Sequence, residues 1–192
     1  LRHVQSELRN RGIYRGIGLA TLLEVTNPSP MFYGVGCAAI SAQDGCTLRL
    51  DAKGNVFCAT GVTEQGQGTE TVIAQIVATS VGVAMENVHV ITGDTEVTPY
   101  GGGTWASRGC GIAGEAAGQA GRVLRENILD VAGVILQTES TALDIQNGNI
   151  VDGGDGEVLT TLEEVARVAY YRPDTFPEDF QSELVVTRHY VP

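Results

Sequence analysis

Positive charge is what this sequence most lacks. Its 192 residues carry 12 Lys and Arg against 23 Asp and Glu, a formal net charge of −11. A surface of that sign repels nucleic acid and anionic lipid, so an anionic ligand has to be held by local geometry rather than a general field. No apolar run reaches the length of a membrane span, and no signal-peptide pattern is visible. There is no Cys-x-x-Cys: Cys37, Cys46, Cys58 and Cys110 lie scattered in apolar or Gly-rich surroundings. That points to reduced, mostly buried thiols in a cytoplasmic protein, with no metal site among them. His3, His89 and His189 are too far apart for ligand spacing. Asp152-Gly-Gly-Asp155 misses the EF-hand pattern. Phosphate-loop signatures are missing too. "GQGTET" has no Lys-Ser/Thr, and Gly-x-Gly-x-x-Gly would need glycine where Thr71 stands.

What is present reads as α+β, a mixed sheet with two or three packed helices. "LRHVQSELRN" suits the end of a helix, stopped by Gly12. Ile13–Val25 reads as strand, and "NPSP" at Asn27 to Pro30 breaks it. Strand-like runs follow at Gly34–Ala42, Cys46–Asp51 and Asn55–Gly61, with "DAKGN" as the turn between the last two. The period then changes. Val72, Ile73, Ile76, Val77 and Val81 fall at helical spacing, and Gly82 is a natural stop. "NVHVIT" alternates as a strand, and a second helix is expected over Ile112–Gln137. Its run of small residues, Ala113 to Gly121, predicts close packing against a neighbour. Asn147-Gly148 marks a hairpin, Thr160 with Glu163 a capping box, and "SELVVTRHYV" a final strand. The organisation expected is an opening segment (residues 1–30), a core (31–137), and a hairpin, short helix and terminal strand (138–192). The absence of an initial Met and the stop within a β-like run lead us to expect a piece of a longer polypeptide.

Two stretches invite chemistry. Gly66-Gln67-Gly68 runs from a strand into a helix whose N-terminus carries unpaired N–H groups and the positive end of the dipole. Gln67 adds an amide suited to a neutral polar edge. Alone, this stretch reads equally as a structural tight turn. "GDTEVTPYGGGTWASRGCG" is longer and more Gly-rich than a connector requires, and it ends at the second helix. Arg108 offers a fork for phosphate, and Ser107 can cap or donate. The plain alternatives are a surface ion pair with the abundant acids for Arg108 and a core position for Trp105. Asp94 suits an Asx turn. Two Gly-rich loops, each leading into a helix, are what an extended anionic cofactor needs.

"TGVTEQGQGTETVIAQIVATSVGV", "VHVITGDTEVTPYGGGTWASR" and "GIAGEAAGQAGRVL", in that order, resemble the large subunit of molybdenum hydroxylases, the xanthine dehydrogenase and aldehyde oxidase family. The likeness is greatest to the bacterial three-subunit branch with carbon monoxide dehydrogenase-type enzymes. "YRGIGLATLLEVTNP" and "VVTRHYVP" extend the resemblance over nearly the whole chain. It implies part of the second of two elongated halves that hold the cofactor between them. By resemblance, Gly66, Gln67 and Gly68 meet the pterin and molybdenum end of a molybdopterin. Thr69, Glu70 and Thr71 continue that contact. Ala106, Ser107 and Arg108 line a second cofactor loop, with Trp105 near the metal or substrate pocket. The family further implies a cytosine dinucleotide form of the cofactor, an iron–sulfur ([2Fe-2S]) small subunit, an FAD medium subunit, and a small-molecule substrate oxidised with water-derived oxygen.

Departures limit this. The family's catalytic Glu, in a Gly-x-Gly-Glu segment, has no counterpart here. Glu115 in "GIAGEAAG" matches the helix that follows the Ser-Arg loop. The first-half loop that separates substrate classes is absent. No catalytic residue is therefore assigned, and the chain is expected to be inactive alone. The rivals are a non-catalytic nucleotide- or pterin-binding module and a purely structural domain.

Overall fold

A computed structural model describes all residues, Leu1–Pro192. The order is α1 (Arg2–Arg9), β1 (Asp44–Leu50), β2 (Val56–Thr60), α2 (Thr69–Val81), β3 (Val88–Ile91), α3 (Gly114–Leu136), β4 (Leu143–Gln146), β5 (Asn149–Asp152), β6 (Val158–Thr161), α4 (Leu162–Tyr171) and β7 (Val185–Tyr190). Four strands form one mixed sheet in the order β3-β2-β1-β7, and β4-β5-β6 form a small antiparallel sheet. Within the larger sheet β2 and β3 run parallel, which requires a crossover, and α2 supplies it. The α+β reading holds.

The β1–β2 hairpin closes where the sequence placed it. Asp51 Oδ1 accepts from the Lys53 and Asn55 N–H groups at 2.9 and 2.8 Å, and Gly54 takes φ +81°. At the second hairpin Asn147 and Gly148 both have positive φ, 49° and 77°, as a two-residue turn of matching twist demands. Helix α2 covers the expected span. Ile73, Ala74, Val77, Ala78 and Val81 face inward, and Gly82 at φ 95° ends it by donating to Ala78 O at 2.9 Å. Helix α3 lies across β1, β7 and α2. Its small residues do bring α2 close: a Cβ on Gly114 would meet Ile76 Cδ1 at 2.9 Å, and one on Gly121 would collide with Ser80.

One hydrophobic cluster unites these elements. It runs from Cys46 to Val186 and takes nothing from residues 1–30. Leu48, Ile73, Leu124 and Ile128 are wholly enclosed in it. Each such side chain contributes about 1.5–3 kcal/mol of transfer free energy.

Four expectations are corrected. Ile13–Val25 has the composition of a strand but no ladder partner, and Leu19, Leu22 and Leu23 stand exposed. A strand needs a second strand, and this chain brings none to it. Gly34–Ala42 forms a short turn with positive φ at Gly34, Gly36 and Cys37, which breaks the extended run. The helix cap is one residue later than expected: the Thr161 hydroxyl, not Thr160, accepts from the Glu164 N–H at 3.2 Å. Thr160 instead pairs with Ile150 as part of β6, a strand the sequence did not suggest. Of the four thiols, Cys46 and Cys58 are buried, but Cys37 and Cys110 are exposed.

Candidate functional site

The first loop begins at the end of β2 and turns into α2 through Gly66 and Gly68, at φ +98° and +80°. No atom lies within 4 Å of a Cβ built on either. Glycine is required there by the backbone and not by crowding. The N–H groups of this turn were expected to face a ligand. They face Glu64. Its Oε1 accepts from Gly66 N–H at 2.7 Å and Gly68 N–H at 3.0 Å, and its Oε2 from Glu70 N–H at 3.3 Å. Desolvation pushes the Glu64 carboxyl up. The N–H donors of Gly68, Glu70, Gly66 and Thr69 outweigh it and hold the group below its ordinary value.

Gln67 is tied into the same turn. Its Oε1 accepts from Gln65 N–H at 2.7 Å, while its Nε2 donates to Thr63 O at 3.3 Å and Thr69 Oγ1 at 2.5 Å. The second loop is clamped to the first through Thr104. Its hydroxyl donates to Thr63 O and accepts from Thr63 N–H, both at 2.7 Å, and Gln65 Nε2 donates to Thr104 O at 3.3 Å. Thus two loops distant in sequence present one surface.

Arg108 departs furthest from its expected role. Its guanidinium is turned inward, wholly buried, and cannot act as a fork for phosphate. Nη2 donates to Asp44 Oδ2 at 2.5 Å and Gln43 O at 2.8 Å, and Nη1 to Ser41 O at 2.8 Å. Burial pushes the Asp44 carboxyl up, against the Arg108 charge and a hydrogen bond from the Gly102 N–H. Arg108 is thus in an ion pair, but with one buried carboxylate in the interior and not on the surface as the plain alternative had it. Glycines 101 and 102 now have a reason. A Cβ on Gly101 would strike Asp44 Oδ1, and one on Gly102 would strike Arg108 Nη1 and Ser41 O.

Between the loops lies a pocket of about 460 Å³. Gln65, Gln67, Thr69, Val72 and Ile73 form one wall. The run from Thr104 to Cys110 forms the other. Of the residues read from the sequence, Gln67, Thr69, Trp105, Ala106, Ser107 and Arg108 meet here; Gly66, Gly68, Glu70 and Thr71 do not line it. Glu70 instead accepts from the Thr92 hydroxyl at 3.1 Å. Trp105 is half-buried, donates to Gly102 O at 3.1 Å, and packs against Phe32 with ring centroids 5.6 Å apart. Ser107 donates to the Glu24 carboxylate, which brings the opening segment to the pocket's rim. Glu64, Gln65, Thr63 and Thr104 were missed. Only Glu64, an acid shortly before a helix start, left a signal in the sequence.

Other candidates fall away. Glu115 is a surface residue of α3, paired with Arg122 at 3.3 Å. His89 stacks on Phe57, with ring centroids 5.0 Å apart. Asp94 forms its Asx turn by accepting from the Glu96 N–H at 3.0 Å. No His/Cys/Asp/Glu cluster suited to a metal ion is present.

The pocket therefore faces inward with neutral amides, hydroxyls and an indole, while both cationic features behind it are answered by carboxylates. Arg108 Nε–H, in a residue that lines it, finds no acceptor in the protein. Ala106 and Ser107 hold positive φ, 45° and 49°, a strained pair of the kind found at ligand clamps. The indole face, with the second Gln65 N–H and the amide oxygens of Gln65 and Gln67 still able to bond, suits a flat, polar-edged heterocycle. The model of the molybdopterin cofactor-binding domain family matches residues 1–192. The chain belongs to that family.

Relatives of this molybdopterin cofactor-binding domain are parts of larger enzymes. It is similar to the carbon monoxide dehydrogenase large chain of Hydrogenophaga pseudoflava, 33% identical over 181 residues, covering 92% of this chain and 22% of the relative. A putative xanthine dehydrogenase molybdenum-binding subunit of Escherichia coli (strain K12) is 34% identical over 175 residues, covering 90% and 22%. Among solved structures, quinoline 2-oxidoreductase from Pseudomonas putida 86 superposes on all of this chain and 24% of its own, with TM-score 0.78 and 34% identity. The chain thus spans under a quarter of the length of these proteins.

Proposed function

We propose that this domain holds the pterin end of a molybdopterin cofactor within a larger oxidoreductase subunit. The observation that supports it best is the convergence of two Gly-rich loops on one neutral pocket, in a chain matched throughout by the family model. Gln65 keeps its amide oxygen and one N–H, and Gln67 one acceptor site on Oε1, for the heterocycle's polar edge, and Trp105 offers a flat apolar wall. Ala106 and Ser107 bring backbone close to the ligand, and Arg108 fixes that loop from behind. Gly66, Gly68, Thr69, Glu70 and Thr71 shape the opposing turn. When bound, the cofactor supplies the redox chemistry. The lack of a counterpart to the family's catalytic Glu supports a proton-moving base on another part of the polypeptide and an isolated chain without activity.

The intact protein, on this reading, is a cytoplasmic hydroxylase or dehydrogenase that oxidises a small molecule with water-derived oxygen. Its cofactor takes the cytosine dinucleotide form, and electrons leave through [2Fe-2S] and FAD on partner subunits. Relatives named for carbon monoxide, xanthine and quinoline support a small-molecule substrate. The test is to purify the complete polypeptide, and separately this chain, and to oxidise and measure the pterin each carries. The expected result is about one pterin per complete polypeptide and far less on the chain, because a half-site between domains binds poorly. Tight binding of plain nucleotides by the chain alone would replace this reading with a storage or delivery module.

A further inference from the structure

The positive end of α2 is already occupied by the chain's own carboxylate. Glu64 gathers the Gly66, Gly68 and Glu70 N–H groups onto two oxygens, with Gly66 and Gly68 and between them Gln67 on the arc so formed. Glycine at 66 and 68 permits the turn's positive φ but does not select it, since glycine enters many conformations about equally. With open space around both, no packing selects the shape either. The three hydrogen bonds to Glu64 supply the selection. Gln67 then closes the inner ring through Gln65 N–H, Thr63 O and Thr69 Oγ1, and Gln65 reaches across to Thr104 O.

We propose that Glu64 is a positioning residue: it serves as the resident anion of the α2 N-terminus, holds the Gly66–Glu70 turn in the shape that presents Gln65 and Gln67 to the pocket, and keeps anionic ligand groups off that turn. A phosphate drawn to the same N–H groups would meet a carboxylate seated on them. The loop therefore selects a neutral ligand edge although it stands where anions are commonly bound. The inference deepens the cofactor reading above and rests on it.

Two measurements test it. In this chain, Glu64→Ala is expected to speed amide hydrogen exchange at Gly66, Gly68 and Glu70 about tenfold or more, with β1 amides unchanged. Glu64→Gln keeps one accepting oxygen, so Gly66 and Gly68 stay protected and Glu70 alone loosens. That selective pattern serves even if the alanine variant unfolds, and unchanged exchange at Glu70 in Glu64→Gln overturns the proposal. In the complete polypeptide, bound pterin is expected to fall to about a tenth in Glu64→Ala and to an intermediate level in Glu64→Gln. Equal pterin in wild type and Glu64→Ala overturns the positioning role while leaving the cofactor reading intact. A wild-type polypeptide carrying no pterin overturns the cofactor reading, and the positioning role falls with it.

Discussion

Arg108 Nη2 stands 2.5 Å from Asp44 Oδ2, with both side chains fully removed from solvent although the two residues are 64 positions apart in the chain. The pair joins the first residue of β1 to the residue that opens the turn into α3. It anchors the Trp105–Ser107 wall of the pocket to the sheet.

Removing one member of such a pair leaves an uncompensated buried charge. Asp44→Asn is expected to cost about 3–5 kcal/mol of stability, read as a shift of the urea midpoint with an unchanged slope. The double change Asp44→Leu with Arg108→Met should cost much less than the sum of its single changes. Additive losses would show that the two groups do not act as a pair.

Two adjacent glycines of the second loop, Gly102 and Gly103, should differ sharply. Gly102→Ala drives a methyl into Arg108 Nη1 and Ser41 O and is expected to cost about 1–3 kcal/mol. Gly103→Ala meets no atom within 4 Å and loses only the ease of φ +72°, about 1 kcal/mol. Equal losses in thermal melts would remove the crowding argument.

Trp105 is this chain's single tryptophan and lines the pocket, so the share of the complete polypeptide's emission that Trp105→Phe removes reports on the pocket's occupancy. In the complete polypeptide, pterin loading should quench it. Gln67→Ala should weaken pterin retention about tenfold through lost hydrogen bonds and a loosened turn. Unquenched emission in a pterin-loaded protein would place the ligand elsewhere.

Glu64 should titrate below the ordinary glutamate value of 4.5, because the N–H groups of the turn outweigh its desolvation. A depressed folded pKa means that the turn's added stability is fully present above that ordinary value. It is lost as pH falls through the folded midpoint. Carboxyl NMR with amide exchange at Gly68 checks both, and a midpoint at or above 4.5 would refute the hydrogen-bonded arrangement.

Helix α4 should depend on one threonine and not its neighbour. Thr161→Ala removes the acceptor for Glu164 N–H and is expected to cost about 1 kcal/mol. Thr160→Ala should leave the cap intact, and chemical denaturation of the two variants separates them.

Much of this fold was legible because its signals are local. Helix α2, both hairpin turns and β1, β2, β3 and β7 follow from period, turn chemistry and glycine placement within a few residues of sequence. Ile13–Val25 was misread because alternation shows that a segment suits a sheet, not that a sheet is available. Thr160 and Thr161 were confused because strand β6 runs directly into α4, and each threonine is followed by a glutamate at the right distance.

The sequence by itself determined the family, the two loops and the glycines that let them turn, because motif order and backbone freedom are properties of the chain read in line. Only the tertiary structure decided what the charged groups near those loops do. Asp44 reaches Arg108 across 64 residues, and Glu64 reaches forward onto the turn it precedes. Both cationic features that seemed meant for an anionic ligand are met from within. An ion pair or a capped helix end depends on distances in space, and these are fixed only once the sheet and α3 have packed. The pocket is left neutral, and that neutrality was invisible in a sequence whose charges can be counted but not paired.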